Sequence, residues 1–250
     1  MKKIIAVGLW VVCFAGVLHS ENFTETKAKE NIVICSAHPD DLEGCLGFAI
    51  KAKNRFKLHV IDFTGGERGV KGKTHEEARA IRQAEEESVA KELGADVHWV
   101  GQIDGGAFAT PEAVTKVYEI LKKLKPRAVF LHAPVDLHVD HVMCYAACWA
   151  AIMKTKAYPE VYFYEEGGIG ETHNFHPHHY VDITDVWDEK VRLMRKWKSQ
   201  NKNDFLVRFK EPESLFRGAQ MVRPVKYGEA YESLIGYPAK KKLNVFQEIE

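Results

Sequence analysis

Four short apolar runs, each followed by a helical pattern, restrict this chain to a narrow set of folds. NIVICSA (31–37) leads, through DDLEG, into CLGFAIKAKN. KLHVIDFT (57–64) precedes the amphipathic stretch THEEARAIRQAEEESVAKELGA, which stops at Gly94. DVHWVG (96–101) precedes TPEAVTKVYEILKKLKP, where Thr110 is placed to cap a helix, Pro111 to open it and Pro126 to follow it. RAVFLHAP (127–134) precedes HVDHVMCYAACWAAIMKT. Strands that alternate with helices pair in parallel and carry the helices on both faces. The expected class is therefore α/β with a parallel-sheet core. Further strands are expected around EVYFYEE and HHYVDIT, with a helix over DVWDEKVRLMRKWKSQ. No repeat or low-complexity linker divides the chain, so residues 31–250 are expected to form a single domain.

The first twenty residues have a different character. Lys2 and Lys3 precede the apolar run IIAVGLWVVCFAGVL, which ends at His19–Ser20. A short basic segment, an apolar stretch and then small or polar residues is the pattern of a secretory signal peptide. The run is short for a spanning helix, which needs about 20 residues. Residues 1–20 are thus expected to be a signal, cleaved near Ser20, with no stable membrane anchor left afterwards. Residues 21–30 (ENFTETKAKE) are expected to be a flexible polar start. The predicted location is outside the cytoplasm, periplasmic or secreted.

Lys+Arg and Asp+Glu both number 35. With no basic excess to meet a phosphate backbone, a nucleic-acid partner is not expected. Export permits disulfides, but the spacing of Cys35, Cys45, Cys144 and Cys148 forms neither a disulfide framework nor a cysteine-type zinc site. Cys144 and Cys148 lie four apart in an apolar helical pattern and read as buried thiols.

Ligands of an open parallel sheet bind at the carboxyl ends of its strands. Two polar clusters fall there: AHPDD after the first strand, and LHAPVDLHVDH after the fourth. His38 and Asp41 are three apart across a turn, a spacing that aims both at one point, and His141 supplies a third donor. Two imidazoles and one carboxylate with an open fourth position form the pattern of a catalytic zinc site. Asp40, pointing elsewhere, is left to take a proton from a water whose pKa zinc lowers to about 7. The metal's charge offsets the repulsion of the adjacent carboxylates. His138 can face the substrate oxygen, and Asp140 can orient an imidazole from behind. Two alternatives stay open: Asp40 and Asp41 as plain helix-capping carboxylates, and Asp136 as a ligand.

AHPDD and HVDH resemble the two motifs of the PIG-L/LmbE family of zinc-dependent deacetylases. TGGERG after the second strand resembles that family's TxGExG segment, and Arg82, Glu85 and Leu93–Gly94 resemble its R-x-x-E…LG helix. FL…LF…VKYGEAY near the end is similar to the bacillithiol-biosynthesis branch. The resemblance spans roughly residues 31–235. It implies a Rossmann-like fold and removal of acetyl groups from the nitrogen of amino sugars. It implies zinc on His38, Asp41 and His141, Asp40 as general base, and His138 as partner of the oxyanion or leaving amine. It also implies Arg68, Arg82 and Tyr227 as substrate-holding residues. Two positions depart from the bacillithiol branch, where Arg and Pro are common and this chain has Leu137 and Val139. That branch is cytosolic, so the apparent signal points instead to an exported enzyme on free or glycan-bound N-acetylhexosamines. Self-association into a homo-oligomer is compatible with this reading.

The competing functions are a metal-dependent esterase or phosphoesterase with the same ligands, and a non-catalytic sugar-binding protein. The latter would need neither Asp40 nor His138. The run His173–His179 reads as a polar loop before a strand, and Trp187, Met194 and Trp197 read as packing. Lys122, Lys123, Lys125 and Lys240–Lys242 read as solvated surface. Glu43 and Glu67 are candidates for orienting the groups around a metal.

Overall fold

The structure is a computed structural model that describes residues 28–166, 170–240 and 244–249. The expected signal (1–20) and most of the expected flexible start lie outside the described residues. Among the described residues no helix is long and apolar enough to cross a membrane.

Five strands form the central sheet: β1 (Asn31–Ser36), β2 (Lys57–Thr64), β3 (Asp96–Gln102), β4 (Ala128–His132) and β5 (Glu160–Tyr164). Their order is β3-β2-β1-β4-β5, and every pairing is parallel. The alternation of apolar side chains along β1 explains why both faces are covered. Ile32 and Ile34 enter one core with Phe48, Phe130 and Trp197, while Val33 and Cys35 enter the other with Val117, Cys144 and Cys148. Helices α1 (Leu46–Ala52) and α2 (His75–Leu93) pack on the first face. Helices α3 (Pro111–Leu124) and α4 (Val139–Thr155) pack on the second. The α2 helix carries a full capping box, in which Thr74 accepts from Glu77 N–H and Glu77 accepts from Thr74 N–H. It ends at Gly94, whose φ of 64° is the left-handed conformation glycine adopts at no steric cost. Cys35, Cys45, Cys144 and Cys148 are buried free thiols.

The last third of the chain departs from the simple alternation. β6 (His179–Asp182) pairs antiparallel with β7 (Gly228–Tyr231) in a separate two-stranded sheet. Helices α5 (Trp187–Met194) and α6 (Phe205–Ala219) lie between these strands in sequence. Tyr231 brings the small sheet into an aromatic cluster with Phe48, Phe130 and Phe246. A buried lysine anchors α6: Lys210 Nζ lies 3.2 Å from Glu213, 3.4 Å from Glu43 and 3.6 Å from Glu166.

The sheet order has one functional consequence. The chain runs outward from β1 through β2 to β3, then returns to place β4 on the other side of β1. Between β1 and β4 the connections leave in opposite directions, which opens a crevice at their carboxyl ends. AHPDD leaves β1 into this crevice, and the segment ending in HVDH leaves β4 into it.

Candidate metal centre

The β1 strand ends at Ser36, and the chain turns at once through Ala37–His38–Pro39–Asp40. A 3-10 turn follows over Asp41–Cys45. Asp41 locks this turn, since its Oδ2 accepts the backbone N–H groups of Ala37 (3.0 Å) and His38 (2.8 Å). The same oxygen is the focus of three imidazoles: His38 Nδ1 at 3.3 Å, His132 Nε2 at 3.2 Å and His141 Nε2 at 3.6 Å. His132 ends β4, and His141 lies in the first turn of α4, so the two clusters expected from the sequence do meet.

The far nitrogens of the rings set the tautomers. His38 Nε2 faces Asp140 Oδ2 at 3.1 Å and Asp104 Oδ1 at 3.6 Å. His141 Nδ1 lies 3.2 Å from Asp136 Oδ1. A proton on each of these outward nitrogens leaves two imidazole lone pairs directed toward a carboxylate oxygen. Such an arrangement repels itself unless a cation, a proton or a metal ion, lies among the three. Among the described residues, Asp41–His132–His141 and His38–His138–His141 are groups here whose donor atoms lie within 4.8 Å of one another, so imidazoles and a carboxylate fit a divalent zinc-like ion, although the expected set of His38, Asp41 and His141 is not itself one of these groups. His132 is stacked on His141 with ring centroids 4.2 Å apart, and burial lowers its pKa to about 4, which keeps it neutral. Burial alone would lower His38 and raise Asp41. The facing charges outweigh it, lifting His38 well above its usual value and holding Asp41 well below.

Asp140 occupies the position behind His38. Its Oδ2 also accepts Gly105 N–H (2.6 Å) and its Oδ1 accepts Ala107 N–H (3.2 Å), which pins the β3–α3 loop against the site. Gly105 has φ of 70°, and a Cβ there would lie 2.7 Å from Arg68 Nη1, so glycine suits both the turn and the close approach. His138 caps α4. Its Nδ1 accepts Asp140 N–H (3.3 Å), and its own N–H donates to Asp136 Oδ1 (2.7 Å). The ring lies 4.6 Å, centroid to centroid, from both His38 and His141.

Asp40 sits at the pocket edge with a backbone φ of 122°, outside the range normal for a residue with a side chain. Arg82 Nη2 donates to its Oδ1 at 2.6 Å. Burial raises the Asp40 pKa to about 7, despite the opposing pull of Arg82. A cavity of about 270 Å³ contains His38, Asp40, Asp41, Arg82, His138 and His141. Its other walls include Glu43, Asp104, Glu166, Glu171 and the aromatic Phe205.

Not every residue expected at the site reaches it. Tyr227 is buried, stacked on Trp187 at 4.1 Å, and donates through its hydroxyl to Glu211, so it is packing rather than a pocket wall. The exposed Arg68 guanidinium leans on the Gly105 carbonyl (3.4 Å), beside the pocket rather than in its wall. Glu43 is tied to Lys210, and Glu67 accepts from Arg79 and Gly65 N–H; neither contacts the imidazoles. Conversely, Asp104 and His132 stand at the site without any role expected from the motifs. The strand-end rule reaches both, because His132 closes β4 and Asp104 follows β3.

Three comparisons bear on this geometry. The family model for GlcNAc-PI de-N-acetylase, PIG-L, matches residues 33–152, which span both clusters. Among curated proteins, 4-oxalmesaconate hydratase of Pseudomonas putida is 26% identical over 227 residues, covering 82% of this chain and 86% of that protein. Among solved structures, N,N'-diacetylchitobiose deacetylase from Pyrococcus horikoshii superimposes with a TM-score of 0.72 at 22% identity, covering 82% of this chain and 84% of that one. A conserved protein from Thermus thermophilus gives a TM-score of 0.69 at 26% identity, covering 83% of this chain and 95% of that one.

Proposed function

We propose that the chain is a zinc-dependent hydrolase that removes the N-acetyl group from an N-acetylated amino sugar, a reading supported by the PIG-L family match over residues 33–152. The observation that carries this reading is the convergence of His38 Nδ1 and His141 Nε2 on Asp41 Oδ2, with Asp40 and His138 in the same cavity wall. Those three donors would hold the ion. Zinc bound there supplies Lewis acidity and lowers the pKa of water toward 7.

The chain's own groups account for the rest. Asp40 takes a proton from the attacking water. Its Oδ1 is held by Arg82, so the other oxygen is the one free to act. A pKa near neutrality suits a group that must accept a proton and then return it. His138 accepts Asp140 N–H at Nδ1, which leaves its proton on Nε2 to donate to the acetyl oxygen as that atom gains charge. As the C–N bond breaks, the proton held by Asp40 passes to the departing sugar nitrogen, giving a free amine and acetate.

The hydratase relative supports a second reading, in which the same centre adds water to a carboxylated substrate. The pocket wall weighs against it. Glu43, Asp104, Glu166 and Glu171 line the cavity, and Arg82, the arginine among its described lining residues, is already paired with Asp40. Lys210 holds Glu43 and Glu166, so what disfavours a polycarboxylate is the lack of an unpaired arginine or lysine among the described lining residues, which a neutral sugar does not need. The test is acetate release from a panel that includes N-acetylglucosamine, N,N'-diacetylchitobiose, aryl acetate esters and phosphate esters, with hydration of 4-oxalmesaconate run in parallel. Hydration without acetate release would remove the deacetylase reading. Cleavage of the esters alone would turn it into an esterase or phosphoesterase.

The Lys2–Lys3 pair and the apolar run after it support export, so the proposed substrate is a free or glycan-bound amino sugar outside the cytoplasm.

A further inference from the structure

We propose that Phe205 and Phe209 form a stacking platform for a second pyranose ring, so that the substrate is at least a disaccharide. This rests on the deacetylase reading and specifies its substrate. Phe205 lines the same cavity as Asp40 and Asp41 and is 45% exposed. Phe209, one turn later on α6, is 43% exposed, with its ring centroid 4.4 Å from that of Phe205. The two half-exposed rings meet at 56°, Phe205 in the cavity wall and Phe209 next to it, and together present an angled apolar surface. The C–H faces of a pyranose complement such a surface while its hydroxyls stay free to bond elsewhere.

The platform is held firmly. The two residues before it, Asn203 and Asp204, have φ of 54° and 55°, a left-handed conformation that is costly for residues other than glycine. Contacts on either side maintain it. Arg195 grips Asp204 with two hydrogen bonds of 3.0 Å each, and Asn201 Oδ1 accepts Leu206 N–H at 2.9 Å. Leu206 is buried, so Phe205 is an exposed ring on an anchored backbone.

Size and charge select the occupant. At about 270 Å³ the cavity lies just below the usual range of small-molecule sites, ~300–1,000 Å³, so it suits one ring at the imidazole cluster and leaves the next ring at the mouth. With Glu43 and Glu166 held by Lys210 and Arg82 held by Asp40, the described lining leaves no unpaired arginine or lysine for an anionic extension. Gln200, which also lines the cavity, donates its amide N–H groups to Gly69 O and Ser199 Oγ, which leaves its Oε1 to accept from a sugar hydroxyl.

The experiment compares kcat/KM of the zinc-loaded chain on N-acetylglucosamine and on N,N'-diacetylchitobiose. The unmodified chain should prefer the disaccharide. Phe205→Ala and Phe209→Ala should each lower the disaccharide-to-monosaccharide ratio about tenfold, equivalent to about 1.4 kcal/mol of transition-state binding. Phe205→Tyr, which keeps a ring, should retain the preference. An unchanged ratio in both alanine variants overturns the platform. So does a change of oligomeric state by light scattering without a change in ratio, which would make these rings a contact between copies. If the unmodified chain releases acetate from neither sugar, the deacetylase reading fails by itself. Saturation-transfer NMR with N,N'-diacetylchitobiose then decides the platform: transfer to the sugar that Phe205→Ala abolishes upholds it, and absence of transfer to the unmodified chain overturns it.

Discussion

Arg82 holds Asp40 by one oxygen, Nη2 to Oδ1 at 2.6 Å, while the Asp40 backbone is held at a φ of 122°. The side chain is clamped and the main chain is strained at the same residue. Strain of this kind costs on the order of 1–3 kcal/mol and persists where the surroundings enforce it.

Asp40→Asn should therefore keep the fold and the metal, since Asp41 rather than Asp40 faces the two imidazoles. It should lose about 10²–10⁴-fold in kcat, because an amide cannot take the proton from water. Zinc content measured beside kcat tests this. A metal-replete variant with near-normal turnover would make the carboxylate structural.

Arg82→Ala removes the positive charge that opposes burial at Asp40. A carboxylate that loses a cationic neighbour binds its proton more tightly, so its pKa rises. The acid limb of the kcat–pH profile should move to higher pH. A limb that stays in place or moves to lower pH contradicts the assignment of that limb to Asp40.

Replacing His38, Asp41 or His141 by alanine should in each case abolish stoichiometric zinc while leaving most of the secondary structure. Metal analysis of the purified variants, with circular dichroism as the control for folding, tests the donor set. Full zinc occupancy in all three would reject it.

Glu86 is buried behind this region, accepting Trp197 Nε1–H at 2.7 Å through Oε2. Burial raises its pKa to about 8 from an ordinary 4.5, against the pull of Trp197. The folded chain thus keeps a proton that the unfolded chain releases earlier, and stability falls as pH rises from 4.5 to about 8. Glu86→Gln keeps an acceptor for Trp197 and removes this slope. Its melting temperature at pH 8 should exceed that of the unmodified chain by at least about 2–4 °C, equivalent to ~1 kcal/mol, with a smaller gain near pH 4.5. An equal shift at both pH values would exclude the linkage.

The proposed signal makes the mature chain begin near Glu21. Amino-terminal sequencing of protein from its native host should find that start in an extracytoplasmic fraction. An intact Met1 in the cytosolic fraction would overturn the export proposal.

Much of the core was legible because short apolar runs and helical 3.6-period patterns alternate up to Thr155. The capping signal at Thr110 marked one helix start, and its side chain caps in the structure. The meeting of AHPDD and HVDH followed from one rule about strand ends. The sheet order was not written in the pattern, because the pairing of β1 with both β2 and β4 depends on contacts remote in sequence. His132 lies in the LHAPVDLHVDH cluster without a role of its own, and no motif assigns a role to Asp104. Their roles appear only when the strand ends come together. Tyr227 illustrates the opposite error. A motif suggested a substrate contact, but the residue enters β7 just where the chain packs on Trp187, and the ring goes into the core.

The placement of β4 beside β1 would give the proposed metal centre a folding role. His38 and Asp41 are separated from His141 by the long segment that contains β2, α2, β3 and α3. No local segment carries the whole donor set, so the ion cannot nucleate the chain. It can bind with full affinity only after the slow, non-local closure of β4 onto β1. For the proposed zinc form, metal capture is therefore expected late in maturation. In a refolding experiment the arrival of zinc would act as a clock for the central sheet, and in the finished protein the ion would act as a latch across its two halves.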